Sequence, residues 1–212
     1  MNHHFQEHHF GNDKVTYISP GWDEINLLTY EVSCQVRAQT QRFDRIVTLA
    51  KGGWPMTRSL IDFTQIPEIA SIGIKFYAGI NQKLDKPLVY QDIPVSVEGE
   101  RILLFDDVAD SGESLIFTTN LLKKRGAKQV STATIFYKPH SSLKPDFFGA
   151  QTSAWIVFPF EPFEMIELIG GKWIDQGLSQ EELAKRFNQF GFGAEITQKA
   201  IQELYQHHHS NY

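Results

Sequence analysis

Cysteine is almost missing from this 212-residue chain: Cys34 stands alone, so no intramolecular disulfide framework can form. Its helical surroundings read as a place for a buried, inert thiol. An excess of positive charge is also missing. Lys and Arg total 20 against 25 Asp and Glu, a net charge of −5, which excludes an overall basic surface for nucleic acid. Long apolar runs are absent too; the best of them, residues 154–160, is far too short to span a bilayer. The N-terminal stretch MNHHFQEHHF lacks the basic start and apolar run of a signal peptide, and a cytoplasmic protein is expected. There is no internal repeat and no low-complexity linker.

What is present is a globular composition, 42% hydrophobic and 21% charged, on a chain long enough to bury a sizeable core. Short apolar runs at residues 15–18, 46–50, 69–76, 101–105, 130–137 and 155–158 read as strands. Helices are predicted at 22–42, 55–63 and 113–124, the last with Lys123, Lys124 and Arg125 at its end and Gly126 as cap. Strands alternating with helices predict an α/β fold with a mostly parallel sheet covered on both faces. Residues 78–99 are polar and broken by Pro and Gly, and read as a mobile loop or a β-excursion. From residue 170 the pattern changes. Ser179 with Glu182 forms a capping box that opens a helix at 180–190, Gly191-Phe192-Gly193 breaks it, and a second helix follows at 195–206. The expected division is a sheet domain at 1–169 and a helical extension at 170–212, with 1–13 disordered. Two terminal histidine clusters, His3, His4, His8, His9 and His207, His208, His209, read as non-functional.

In open parallel sheets, ligands bind outside the carboxyl ends of strands. At one such end lies LLFDDVADSGESL, residues 103–115. An apolar strand ends in Asp106 and Asp107. Asp110, Ser111, Gly112, Glu113 and Ser114 then lead into a helix. Backbone N–H groups between Ala109 and Ser114 can converge on one point at the positive end of that helix, an anion seat suited to phosphate. Acids beside such a seat repel phosphate unless they meet sugar hydroxyls or a magnesium ion. The loop is therefore suited to a sugar phosphate.

Leu103–Ser114 resembles the phosphoribosyl pyrophosphate (PRPP) motif of type I phosphoribosyltransferases. It departs at Ala109, usually a larger aliphatic, and at Ser111, more often threonine. The resemblance implies that Asp106 and Asp107 hold the ribose hydroxyls and a magnesium ion. It gives Ala109–Ser114 the 5′-phosphate, and Asp110 the general acid/base role at N7 of a purine. Lys51-Gly52-Gly53, after the run 46–50, resembles the pyrophosphate loop of the hypoxanthine-guanine type, where a non-proline cis peptide is frequent. Lys138, and then Lys144–Gly149 with Trp155 and Ile156, resemble the purine end of 6-oxopurine enzymes. Lys138 would donate to the 6-oxo group, Trp155 would stack, and the Trp155–Ile156 backbone would read the far edge. Glu161 matches a carboxylate for a second magnesium or for Lys51. Residues 78–99 match a flexible hood, and two chains would pair as a homodimer. The implied activity is transfer of ribose 5-phosphate from PRPP to N9 of a 6-oxopurine. The alternatives are a PRPP-binding regulatory protein that uses the helical tail as its output, and a transferase of the same fold with another base.

Overall fold

A computed structural model describes residues 3–11, 13–79 and 82–210. Ile80 and Asn81, in the expected hood, and the side chains of His207, His208 and His209 lie outside the described residues. The elements run β1 (Glu7–His8), β2 (Tyr17–Ile18), α1 (Trp22–Arg37), β3 (Arg45–Ala50), α2 (Trp54–Thr64), β4 (Glu68–Gly79), β5 (Gln82–Gln91), β6 (Arg101–Ala109), α3 (Glu113–Lys124), β7 (Gln129–Tyr137), β8 (Phe147–Gln151), β9 (Trp155–Ile156), α4 (Pro162–Asp175), α5 (Gln180–Asn188) and α6 (Ala194–Ser210). They fall into two compact units, residues 25–153 and residues 1–24 with 154–212.

The unit of residues 25–153 holds a six-stranded sheet in the order β5-β4-β3-β6-β7-β8. All pairs are parallel except β4–β5. The central strands are apolar on both faces: Ile46 and Val47 in β3, and Ile102, Leu103, Leu104 and Phe105 in β6, are wholly buried. Each such side chain contributes about 1.5–3 kcal/mol by leaving water. From β3 the chain crosses through α2 to β4 on one side; from β6 it crosses through α3 to β7 on the other. Right-handed crossovers in opposite directions put α2 and α3 on opposite faces. The sheet's switch point therefore falls between β3 and β6, and the loops that follow these two strands emerge side by side there.

The expected mobile segment is largely structured. β5 pairs with β4 through a bulged antiparallel register, which is the β-excursion reading. Beyond it, Ile93 and Val97 are buried with Ile102, Leu104 and Leu115, and Arg125 holds Asp92 through a 2.7 Å hydrogen bond. Two spaced apolar residues, Ile93 and Val97, anchor this stretch in the core. The expected strand at 155–158 is not the last strand of the large sheet either. That position belongs to β8, whose Gly149 packs tightly on the Ile135 carbonyl and Leu28, leaving 2.8 Å and 2.9 Å for a Cβ.

In the other unit, β9 pairs parallel to β2, and β2 antiparallel to β1. Residues 1–13 were expected to be disordered, yet Glu7 and His8 pair with Ile18 and Tyr17, and Phe10 is buried. A polar, histidine-rich segment is ordered here by Phe10 and by His8, which is buried against Phe190 and lies 2.9 Å from Ser19 Oγ. Phe10 joins Tyr17, Trp173, Phe187 and Phe190 in the core of the helical unit, with Arg186 lying 4.8 Å over Trp173 and 5.3 Å over Phe10. The expected boundary at 169/170 falls inside α4, because α4 buries Ile166, Ile169 and Trp173 among these same aromatics. The Ser179–Glu182 capping box is present in both directions.

Asp13 fastens this core. Its side chain is 1% exposed and accepts from Tyr17 Oη at 2.6 Å, Lys172 Nζ at 2.9 Å and Trp173 Nε1 at 3.2 Å. Burial alone would raise this carboxyl, but hydrogen bonds from Tyr17, Lys172, the Val15 amide and Trp173 hold it at about 2. A pKa depressed on folding contributes stability above the ordinary carboxylate value near ~4, and that stability is lost as pH falls through about 2. Asp13→Ala is expected to lower the unfolding free energy by about 3 kcal/mol in denaturant titration followed by tryptophan fluorescence. Asp13→Asn should flatten the acid limb of the stability–pH curve between about 4 and 2.

Candidate active site

The loop after β3 is shaped by two close approaches. The Ala50–Lys51 peptide is cis, as the resemblance implied. The Gly53 amide donates to the Leu49 carbonyl at 3.0 Å and the Trp54 amide to the Lys51 carbonyl at 3.1 Å, a tight turn that hands over to α2. A Cβ on Gly52 would run into the Asp107 carboxylate, with 2.6 Å to its Cγ. One on Gly53 would lie 2.5 Å from Thr48 Oγ1 and 2.9 Å from the Phe105 carbonyl. The two glycines thus let the β3 loop sit directly on the end of β6, with Lys51 exposed above it.

β6 is longer than its apolar run. Asp106, Val108 and Ala109 continue the parallel pairing with β7 opposite Thr134, Phe136 and Tyr137. Asp107 drops out of that register. Its backbone amide donates to Asp106 Oδ1 at 3.0 Å, and the Val108 amide donates to Asp107 Oδ1 at 2.6 Å. Burial first, and the Asp107 charge second, push the Asp106 carboxyl well above its usual range. Such a pair is relieved by a cation or by hydroxyl donors. Among the described residues no cluster of three or more His, Cys, Asp or Glu gathers to hold a metal. Two carboxylates fit a magnesium ion that takes its other ligands from substrate oxygens and water.

Asp110 is exposed beyond the strand end, and Gly112, at φ +81°, starts α3 without a side-chain cap. Ser111 Oγ accepts from the Glu113 amide at 3.3 Å. The helix opening carries Ser114 and the first-turn amides, so donors and the positive helix end meet beside the two acids.

The loop after β7 closes over this turn. The Lys138 amide donates to the Ala109 carbonyl at 3.0 Å, and the Ser142 amide to the Ser111 carbonyl at 3.0 Å. Lys138 is buried, at 8% exposure. Burial lowers its pKa from the usual lysine value, while the Asp110 charge opposes that shift. His140 Nε2 lies 3.0 Å from Asp110 Oδ1. This histidine went unread in the sequence; its signal was position, in the loop after a parallel strand and two residues past Lys138.

The unit of residues 25–153 thus brings together Lys51, Gly52, Gly53, Asp106, Asp107, the turn Ala109–Ser114 and Lys138. Trp155, Ile156 and Glu161 belong to the other unit. There the Trp155 indole is exposed, at 43%, and its amide donates to the Thr16 carbonyl at 2.8 Å, as Val157 does to Ile18. In a parallel pair the residue between them turns its backbone groups away from the partner strand, so Ile156 presents its N–H and C=O on the outer side of β9. Glu161 is the N-cap residue of α4, without a side-chain capping bond.

A family model described as a phosphoribosyl transferase domain matches residues 21–163. The chain belongs to this family. Among relatives of this phosphoribosyltransferase, the hypoxanthine-guanine phosphoribosyltransferase of Bacillus subtilis is 26% identical over 132 residues, which cover 60% of the chain and 73% of that protein. The crystal structure of a purine phosphoribosyltransferase from Pyrococcus horikoshii aligns with a TM-score of 0.62 at 28% identity, covering 68% of this chain and 94% of that one. The Helicobacter pylori xanthine-guanine-hypoxanthine phosphoribosyltransferase shares the fold with a TM-score of 0.58 at 24% identity, covering 66% and 91%.

The turn that opens α3 can be tested directly. At Gly112 a Cβ would meet Ser141 Oγ at 2.7 Å and the Leu143 amide at 2.8 Å, in a left-handed backbone. Gly112→Ala is expected to cost about 1–3 kcal/mol, read as a lower midpoint in urea unfolding.

Proposed function

We propose that this phosphoribosyltransferase moves the 5-phosphoribosyl group of PRPP to N9 of a 6-oxopurine (xanthine, hypoxanthine or guanine), releasing pyrophosphate, and so serves purine salvage in the cytoplasm. The observation that carries the choice of base is Lys138, buried at a strand end beside Asp110 and against the anion seat. An ammonium placed there can donate to a 6-oxo group, whereas the 6-amino group of adenine cannot accept from it.

In this reading the amides and hydroxyls of Ala109–Ser114 hold the 5′-phosphate at the start of α3. Asp106 and Asp107 accept from the ribose hydroxyls. Lys51 and the amides of Gly52 and Gly53 meet the pyrophosphate, whose charge grows as its bond to the anomeric carbon breaks. Magnesium held at Asp106 and Asp107 would supply further positive charge to the ribose and the departing pyrophosphate. The base attacks through N9 with inversion, and Asp110 takes the proton that N7 gives up as the new C–N bond forms. The exposed Trp155 indole is suited to stack on a base, and the outward Ile156 backbone groups are suited to read a base edge. The proposed assembly is a pair of identical chains.

The deciding assay is pyrophosphate release from PRPP and magnesium with hypoxanthine, xanthine, guanine, adenine and uracil. Turnover with at least one 6-oxopurine and none with adenine is expected. PRPP binding without turnover of any base would overturn the proposal. Asp110→Asn should lower kcat roughly a hundredfold or more while PRPP affinity, measured by calorimetry, stays close to that of the unaltered chain.

A further inference from the structure

The contact between His140 and Asp110 is not an accident of two mobile surface side chains. Residues on either side of it are tied through the backbone: Lys138 to Ala109 and Ser142 to Ser111, each at 3.0 Å. Between these ties, His140 Nε2 meets Asp110 Oδ1 at 3.0 Å. Pro139 fixes the backbone just before His140. Gly112 leaves the room that Ser141 and Leu143 fill. The register of the two loops thus sets where the imidazole stands relative to the carboxylate.

Both side chains are open to water, at 63% and 64% exposure, and an exposed pair of this kind contributes little to stability. Its consequence lies in where it keeps the carboxylate. The Asp110 charge also acts on Lys138, whose amide is tied to the neighbouring Ala109 carbonyl at 3.0 Å. Two groups therefore compete for one carboxylate.

We infer that His140 is a positioning residue: it holds the Asp110 carboxylate on the His140 side, where it can take the N7 proton, and keeps it from closing on the Lys138 ammonium that reads the 6-oxo group. This rests on the transferase reading above. With the imidazole removed, Asp110 swings to Lys138, and both groups are drawn off the base at once. PRPP is held by the amides and hydroxyls of the α3 turn and by Asp106 and Asp107, so its binding is spared.

The test compares the unaltered chain, His140→Ala and His140→Gln with the best 6-oxopurine at saturating PRPP. PRPP affinity is measured by calorimetry and the melting temperature is recorded. For His140→Ala, kcat/KM for the base should fall about tenfold or more, through both kcat and KM, with PRPP affinity and melting temperature unchanged. His140→Gln, whose amide N–H can reach the same oxygen, should recover most of the loss. The inference is overturned if His140→Ala matches the unaltered chain, if His140→Gln loses as much as His140→Ala, or if PRPP affinity falls in step. An active chain indifferent to His140 removes this inference alone, whereas an unaltered chain that turns over no base removes the transferase reading and this role with it.

Discussion

The site depends on how closely two loops of the central sheet approach each other. β3 and β6 are neighbours, and their crossovers leave in opposite directions, so a gap opens between the loops at their carboxyl ends. That gap becomes a binding surface only if the β3 loop folds down onto β6. Gly52 and Gly53 permit this: any side chain on either would strike the Asp107 carboxylate, Thr48 Oγ1 or the Phe105 carbonyl. The turn Lys51–Gly53 and the acids Asp106 and Asp107 are therefore one packed object. Moving either loop moves the other.

On that object, charges of both signs are set side by side. The start of α3 and Lys51 are positive, whereas Asp106, Asp107 and Asp110 are negative. A plain phosphate site would exclude the acids, and a plain cation site would gain nothing from a helix N-terminus. A sugar phosphate that brings hydroxyls, phosphates and a magnesium ion together satisfies each of these groups. Burial, and after it the Asp107 charge, raises the Asp106 carboxyl, and a cation or hydroxyl donors would relieve it. Lys138, buried at the end of β7, stands beside the same turn through its amide, which donates to the Ala109 carbonyl.

Much of this was legible because the signals were long or chemically dense. The apolar run 101–105 and the basic, Gly-capped end of α3 located the main motif, and α3 occupies the residues read for it. The capping box of α5 was legible for the same reason: two side chains at fixed spacing report a geometry. Other elements carried no such signal. β1 has two residues, too few for any period, and exists because β2 supplies its hydrogen bonds, whereas β2 and β9 fall inside the apolar runs read as strands at 15–18 and 155–158. β8, with the sequence FFGAQ, was absorbed into a motif around Lys144–Gly149. The stretch after β5 looked mobile because Ile93 and Val97 are separated by Pro94, an exposed Val95 and Ser96. His140 was passed over because a lone histidine in a loop has no pattern of its own. Its meaning comes from Asp110, thirty positions away.

The helical unit shows what happens where the family model ends, at residue 163. Its core is assembled from both termini: Phe10 and Tyr17 from one, Trp173, Phe187 and Phe190 from the other. Aromatics joined over such a separation are costly to order, since the loop between them must close first. Asp13 and Arg186 bear on that cost differently. Asp13 fixes three donors at once, while Arg186 lies over two of the rings that the donors flank. A charged group buried among rings is tolerated only when each hydrogen-bonding site is met, so the aromatic core and the Asp13 network require each other. That mutual requirement explains why a segment that looked like a disordered leader is part of the fold: without Phe10 and Asp13, α4 would keep its apolar stripe but lose the partner that makes Trp173 a core residue.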